Sequence, residues 1–197
     1  FSIVAGYRAL HLLLAKERPF ISSLSVVIWQ RWATVVLYYS WSSYRHATEN
    51  QIDLKLHREL LVDAYQHAPE YVISALLLMI ELDNEYSMES IVEWVKPLWD
   101  DHLALALLEK LKDESLKPQT IYVLLLHEIK QENSQAKAFA EALVNQLLES
   151  TDSTFPERAV LAARALLNGA KDAGWQTVWS NFQAHPSFGE KVLGWIV

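Results

Sequence analysis

Apolar residues recur along most of this chain at the three- and four-residue spacing of an amphipathic helix. The clearest stripes are Ile3, Tyr7, Leu10 and Leu14; Leu24, Ile28, Trp32, Val35 and Tyr39; Leu54, His57, Leu61 and Tyr65; Ile91, Trp94, Val95 and Leu98; and Ala136, Phe139, Leu143 and Leu147. No segment shows the sustained alternation of apolar and polar residues that is typical of a half-buried strand. The pattern therefore predicts an all-α protein.

These stripes and the breaks between them predict about eleven helices. They span residues 1–16, 21–44, 50–67, 69–83, 88–96, 101–112, 119–131, 135–149, 157–168, 173–183 and 188–196. Pro69, Pro118 and Pro156 are each followed by Glu or Gln and then by an apolar run, which is typical of a helix start. Pro97 either kinks a helix or opens a new one. Asp101 is expected to cap the helix that follows it.

The linkers are short, mostly about 2–6 residues, so consecutive helices should pack as antiparallel neighbours. Helix pairs that recur at about 33–47 residues predict a solenoid of antiparallel helix pairs, like HEAT or tetratricopeptide repeats. A non-repetitive helical bundle is the alternative. The length fits one domain, so we expect residues 1–197 to be a single helical-repeat domain. Because the chain starts at Phe1 and not at Met, we expect it to be a fragment of a larger protein.

Composition supports helices and excludes several chemistries. Only 5 Gly and 6 Pro occur among 197 residues, too few for the many turns of a sandwich or barrel. Cysteine is absent, which excludes disulfides, cysteine nucleophiles, thiolate zinc sites and iron–sulfur clusters, and which fits a cytoplasmic protein. The most apolar stretch, 20–44, has Gln30 and Arg31 near its centre, so we expect a buried or partner-facing helix there and no membrane span.

Motifs that would carry catalysis are incomplete or missing. His127 and Glu128 begin like the zinc motif His-Glu-x-x-His, but Gln131 stands where the second histidine should be. Ser134 and Lys137 match the short Ser-x-x-Lys pattern without a companion motif. No glycine-rich phosphate loop is present, and none of the 7 histidines pairs with another at helical ligand spacing. We therefore expect no catalytic residue, no metal and no cofactor in this chain.

Aromatic and basic residues crowd the segment 20–47. The segment contains Trp29, Trp32, Tyr38, Tyr39, Trp41 and Tyr44, with Arg31 and Arg45 among them. Tryptophan, tyrosine and arginine are enriched in protein-binding hot spots. Trp32 and Tyr39 belong to an apolar stripe and should be core. Trp29, Tyr38 and Trp41 lie off that stripe and belong either to the core or to an interface. The candidates for a partner-binding surface are therefore Trp29, Arg31, Tyr38, Trp41 and Arg45, and we expect at least two of Trp29, Tyr38 and Trp41 to be exposed.

The charge distribution leaves a second function open. Residues 1–47 carry five cations and one anion, whereas the remaining 150 residues carry 12 cations and 23 anions. An acidic chain with a net charge of −7 is a poor nucleic-acid binder overall. The aromatic side chains of the basic segment 20–47 are nevertheless of a kind that stacks on bases. Nucleic-acid binding through this segment is therefore the alternative to protein recognition, and a passive scaffold is a third reading.

The stretch from Arg158 to Val192 has the most distinctive sequence. An alanine-rich helix is followed by Asp172-Ala173-Gly174-Trp175, Val178-Trp179, Phe182-Gln183 and Pro186-Ser187-Phe188-Gly189-Glu190-Lys191-Val192. This order of motifs resembles the C-terminal helical repeats of bacterial NACHT-type STAND NTPases. The Lys-Pro-Gln start at 117–119 and the Ala-Pro-Glu start at 68–70 resemble that region as well.

The resemblance implies a function. In that family the C-terminal repeats act as the sensor, and many members serve in antiviral defence by recognising a phage protein. The NTPase core oligomerises, so self-association would run through parts outside this fragment. The resemblance implies that residues 1–197 come from the C-terminal part of a larger protein, and it covers no nucleotide-binding half and carries over no catalytic residue. We therefore expect a protein-recognition sensor region of a STAND-type NTPase, with no catalysis in this chain.

Two structural expectations accompany these motifs. Residues Trp175, Val178, Trp179 and Phe182 are spaced to form one apolar face, which should dock on Val160, Ala163 and Leu167. Both tryptophans should then be mostly buried. Gly169 and Gly174 are expected to allow tight turns.

Overall fold

The computed structural model describes residues 3–45, 54–82, 92, 95–146 and 156–194, and no strand occurs among them. The eleven helices of this part are α1 (Ile3–Lys16), α2 (Arg18–Ser22), α3 (Val26–Arg45), α4 (Leu54–His67), α5 (Pro69–Leu82), α6 (Asp101–Leu111), α7 (Pro118–Lys130), α8 (Ser134–Asn145), α9 (Glu157–Ala170), α10 (Asp172–Ala184) and α11 (Pro186–Leu193). The prediction of an all-α fold is confirmed. The predicted helix at 88–96 falls largely outside the described residues.

The chain divides into two compact units. The first unit contains the described residues up to 103, and the second contains those from 104 onward. Within a unit, helices that follow one another in sequence pack together, as α4 does with α5, α7 with α8, and α9 with α10. This packing is what helix pairs require. The solenoid, its bundle alternative and the single domain over 1–197 stay predictions.

In the first unit, α3 packs against α4 and α5, and α1 packs against α3 and α4. Gly6 allows the close approach of α1 to α3, because a Cβ at this position would lie only 2.3 Å from the Trp32 Cη2 atom. The short helix α2 and a break at 23–25 replace the start of the predicted helix 21–44. The Ser23 hydroxyl donates to the Phe20 carbonyl at 2.7 Å, so a serine side chain closes α2 where the apolar spacing predicted continuity.

In the second unit, α9 is the central helix and packs against α7, α8, α10 and α11. All residues from Ala159 to Leu166 are buried. A helix covered on every side needs small residues where its neighbours come closest. The four alanines of this run, Ala159, Ala162, Ala163 and Ala165, provide that space.

The predicted helix starts at proline are confirmed. Pro69 and Pro118 are the first residues of α5 and α7, and Pro156 directly precedes α9. A proline in the first turn leaves no helical hydrogen bond unmade. Pro97 lies inside a 3₁₀ turn, Lys96–Leu98, and opens no α-helix.

The cap of α6 lies one residue earlier than predicted. The Asp100 Oδ1 atom accepts a hydrogen bond from the Leu103 backbone N–H at 2.8 Å, so Asp101 is the first residue of the helix and not its cap. The Tyr65 hydroxyl donates to the same oxygen at 2.7 Å. Burial raises the pKa of Asp100, but the hydrogen bonds from Leu103 and Tyr65 lower it more, so the net pKa is below its usual value.

The expectation that Gly169 and Gly174 form tight turns is wrong, since both lie inside helices where neighbours come close. A Cβ at Gly174 would lie 2.3 Å from the Leu166 carbonyl oxygen, and one at Gly169 would lie 2.7 Å from the Ile129 Cγ2 atom. The tight turn falls on Lys171, with φ of 49° and ψ of −123°. Glycine adopts this conformation far more readily than lysine, so the residue type hides the turn.

Candidate functional site

The structure removes Trp29 from the predicted partner-binding surface. Trp29 is fully buried, and its indole stacks on the His67 imidazole with ring centroids 5.5 Å apart. The buried face of α3 consists of Trp29, Ala33, Val36 and Leu37. The predicted core positions Trp32 and Tyr39 lie beside this face and are half-buried. The helical spacing was correct, but the face assigned to the core was rotated.

The other predicted candidates divide into two groups. Tyr38 is 43% exposed and Arg31 is exposed, so both stay candidates. Trp41 and Arg45 belong to α3, but their side chains lie outside the described ones. The prediction of exposed aromatic residues therefore fails for Trp29, holds for Tyr38 and stays a prediction for Trp41.

A pair of exposed tryptophans lies on α10 of the second unit. Trp175 is 42% exposed and Trp179 is 45% exposed, so the expectation that both are mostly buried is wrong. Their indoles stack on each other, with ring centroids 5.3 Å apart and an angle of 25° between the ring planes. Residues four apart in a helix are neighbours on its surface, which brings the two rings together.

The core side chains beneath the indole pair hold it in place. Phe182 is buried and meets Trp175 edge to face at 6.0 Å, and it packs in the same way on the fully buried Phe188 at 5.8 Å. A Cβ at Gly189 would lie 3.2 Å from the Phe182 ring, so this glycine leaves room for the ring. Aromatic contacts therefore run without a break from the exposed indoles into the core.

Polar contacts on a neighbouring side of α10 fix it to α8. The Thr177 hydroxyl donates to Glu141 at 3.2 Å, and the Asn181 side-chain amide donates to the Asn145 side chain at 3.3 Å. Val178 and Phe182 are the apolar residues of α10 that are buried. The helix thus uses the residues next to the tryptophans for packing and leaves the tryptophans on the surface.

The partial zinc motif lies inside the second unit. The Glu128 Oε2 atom accepts from the Asn133 amide at 2.6 Å, while Oε1 is buried and has no hydrogen-bond partner among the described residues. Burial raises the pKa of Glu128 to about 7, and the hydrogen bond from Asn133 opposes this rise only in part. Within the described part of the chain, no three His, Asp or Glu side chains are placed to hold a metal ion.

A buried histidine–tyrosine pair lies in the first unit. The His57 Nδ1 atom and the Tyr7 hydroxyl are 2.5 Å apart, and both residues are almost fully buried. Burial, followed by the nearby His11 and Arg58, lowers the pKa of His57 to about 4, so its ring is neutral at pH 7. The contact between the two groups connects α1 to α4. Because both are closed to solvent, a substrate cannot reach them.

Two surface pockets have charged linings, and in each a cation is already engaged by the protein. The pocket of about 550 Å³ in the first unit is lined by Arg18, Lys55, Arg58, Glu59, Val62 and Asp63. There Arg18 forms an ion pair with Glu59. The pocket of about 320 Å³ in the second unit includes Arg164, whose guanidinium donates to the carbonyls of Val192 and Lys191 at 3.1 and 2.6 Å. Arg164 therefore stabilises the C-terminal end of α11.

No protein-family model, curated protein or solved structure matches this chain. The likeness to NACHT-type STAND repeats therefore rests on the motifs between Arg158 and Val192 themselves. Among the helices that the structure describes, none is both long and apolar enough to cross a membrane.

Proposed function

We propose that this chain is a protein-recognition module and that the indole pair of Trp175 and Trp179 is the centre of its binding surface. The observation that carries the proposal is the exposure of two stacked indoles above a packed aromatic core. Tryptophan is among the residues most enriched in binding hot spots. Because the rings already pack on each other and on Phe182, they lose little conformational freedom when a partner covers them.

The exposed area sets the share of binding that the pair can supply. A tryptophan buries roughly 150–250 Å² when fully covered, so the two half-exposed rings offer roughly 200 Å² together. A stable protein interface buries about 800 Å² on each partner. The pair is therefore a hot spot within a contact and not a whole interface. Its removal should weaken the affinity for a partner by about 30-fold or more, which corresponds to a hot spot of about 2 kcal/mol.

A sensor role in a NACHT-type STAND NTPase is the specific form of this proposal. It is supported by the order of motifs in the second unit, where Asp172-Ala173-Gly174-Trp175 opens the helix that carries the indole pair. A protein ligand of phage origin and a role in antiviral defence belong to this form. A phosphate-loop motif upstream of these repeats in the source gene would support it. The proposal assigns catalysis to no residue of this chain and predicts that the purified chain does not hydrolyse ATP.

The test compares matched surface variants in a capture experiment. The chain carrying Trp175→Ser and Trp179→Ser, the unchanged chain, and a control carrying Tyr71→Ser and Leu78→Ser are immobilised and exposed to lysate of the source cells. The control positions are exposed by 48% and 52% and lie on one helix of the first unit. Retained proteins are identified by mass spectrometry, and their affinities are then measured with purified partner.

We expect a protein that the unchanged chain and the control retain and that the tryptophan variant loses. Circular dichroism should show the same helix content in all three, since the exchanged side chains are exposed. A purified partner that binds the tryptophan variant as tightly as the unchanged chain would exclude the indole pair as the binding centre.

A further inference from the structure

We infer that the indole pair of α10 binds an arginine side chain from a short segment of the partner protein. The inference rests on the proposed function above and adds the chemistry of the partner. Three features of α10 support it: the charge beside the rings, the exposed face of the rings, and the limited area around them.

One carboxylate stands beside the rings. Asp172 stands three residues before Trp175, which places its carboxylate on the same side of the helix. Asp172 is exposed, and it makes no hydrogen bond or ion pair with any described residue. It is the only charged residue of α10. The surface therefore offers one unpaired carboxylate next to two uncharged aromatic rings.

The rings themselves favour a cation. The indole face carries the most negative aromatic surface among the side chains and attracts cations better than tyrosine or phenylalanine does. Of the two long cations, arginine fits better, because its planar guanidinium stacks on a ring and can donate two hydrogen bonds to one carboxylate. Lysine is a compact and strongly hydrated charge that loses more on leaving water. One guanidinium over Trp175 would stack on the indole face and donate hydrogen bonds to the Asp172 carboxylate.

The limited area around the rings fits a single side chain of the partner. The pair offers roughly 200 Å², a small part of the about 800 Å² that each side of a stable interface buries, so the pair itself contacts only a small part of the partner. The residues of α10 that border the rings are the neutral polar Gln176, Ser180 and Gln183, which do not extend the apolar surface. A segment with one arginine and little further apolar area matches a surface of this size and charge.

One nearby cation acts against this partner. Lys171 precedes Asp172 and is exposed at the turn into α10. Its charge repels an incoming guanidinium, although salt and water screen exposed charges strongly. Lys171→Gln removes this repulsion and keeps a side chain of similar length. It therefore gives a variant that should strengthen the binding of a cation, opposite in direction to the variants that remove the site.

The experiment uses two peptides that differ in charge alone. The first is an acetylated Gly-Gly-Arg-Gly-Gly amide, and the second carries citrulline in place of arginine, which keeps the planar shape without the charge. Each is titrated into the unchanged chain and into Trp175→Leu, Asp172→Asn, Lys171→Gln and Leu105→Ala. The last is the control, because Leu105 is an exposed apolar residue of α6 in the same unit. Shifts of the indole N–H signals in nuclear magnetic resonance spectra report binding.

We expect the arginine peptide to bind about two- to fivefold more tightly than the citrulline peptide, the ratio that an exposed cation–π contact supplies. Trp175→Leu should remove most of this preference, Asp172→Asn should reduce it, Lys171→Gln should increase it, and Leu105→Ala should leave it unchanged. The preference should also shrink at about 1 M salt, where the screening length is about 3 Å.

Equal binding of the two peptides, or a preference that Trp175→Leu does not change, would overturn the inference. Sedimentation that shows a dimer of this chain lost in Trp175→Leu would also overturn it, since the occupant would then be a second copy. The proposed function is tested separately by the capture experiment. A partner lost with the tryptophans but indifferent to Asp172→Asn and to salt leaves that function standing without the arginine.

Discussion

The two units use their tryptophans in opposite ways. In the first, Trp29 is fully buried although its sequence neighbourhood has the composition of a binding surface. In the second, Trp175 and Trp179 remain about half exposed although their spacing is that of a core face. Trp29 lies on the face of α3 that its neighbours cover, whereas α10 packs through Val178 and Phe182 and leaves the indoles outside. The exposure of a side chain thus depends on how many other helices cover it.

The units also differ in the ionisable group that each one buries. The first encloses a base, His57, beside Tyr7, and the second encloses an acid, Glu128, beside Asn133. Burial disfavours the charged form of either group. It therefore lowers the pKa of the histidine and raises that of the glutamate. The stability of the two units should respond to pH in opposite directions.

The largest expected effect tests the contrast between the tryptophans. Replacing a fully buried tryptophan with alanine leaves a cavity, so Trp29→Ala should lower the free energy of unfolding by about 3–5 kcal/mol. Trp179→Ala removes a half-exposed ring that packs on its neighbour and on Phe182, and it should lower that free energy by about 1 kcal/mol or less. Urea unfolding followed by circular dichroism gives both values. Equal losses would mean that the two rings are equally buried and would remove the contrast.

A second test lowers the pH and concerns the first unit. The folded pKa of His57 is about 4, below its ordinary value of 6.5, so the unfolded chain binds a proton first. The contribution of His57 to the free energy of unfolding is complete above pH 6.5 and is lost as the pH falls to 4. The loss is about 3 kcal/mol, because each pKa unit corresponds to about 1.4 kcal/mol. His57→Asn keeps a hydrogen-bonding group for Tyr7 but does not titrate. If His57→Asn loses as much unfolding free energy in acid as the unchanged chain does, the assignment of this loss to His57 is contradicted.

A third test raises the pH and concerns the second unit. The folded pKa of Glu128 is about 7, above its ordinary value of 4.5, so the unfolded chain releases the proton first. Its contribution is complete below pH 4.5 and is lost as the pH rises to 7, again by about 3 kcal/mol. Glu128→Gln should remove this loss and should leave the acid loss due to His57 unchanged. If the wild type and Glu128→Gln respond identically between these pH values, the carboxyl group is not buried as described.

The helical spacing along the chain was sufficient for the fold class and for most helix starts. Proline reveals a helix start locally, because its ring fixes the backbone and it lacks an N–H, so Pro69 and Pro118 could be assigned from the sequence. The exposed tryptophan pair could not be assigned from the sequence. The spacing of apolar residues gives the helical period, but it does not say which face of a helix another helix covers. The same limit hid the roles of Gly169 and Gly174, because a glycine that admits a neighbouring helix looks the same in sequence as one that permits a turn.

The smallest expected effect concerns the turn that directs α10 and with it the indole pair. Lys171 adopts φ of 49° and ψ of −123°, a conformation that is strained for any residue except glycine. Lys171→Gly should relieve this strain, and the greater freedom of glycine in the unfolded chain should offset part of the gain, which leaves a net stabilisation of about 1 kcal/mol.

Glu132→Gly is the matched control, because Glu132 is the other non-glycine residue with positive φ among those described, at 62°. A φ of 62° is that of the left-handed helical region, where an ordinary side chain is tolerated better, so this variant should gain less. Thermal and urea unfolding of both variants give the comparison, and a Lys171→Gly chain less stable than the unchanged one would show that the turn is held by the lysine side chain and is not a strained connection.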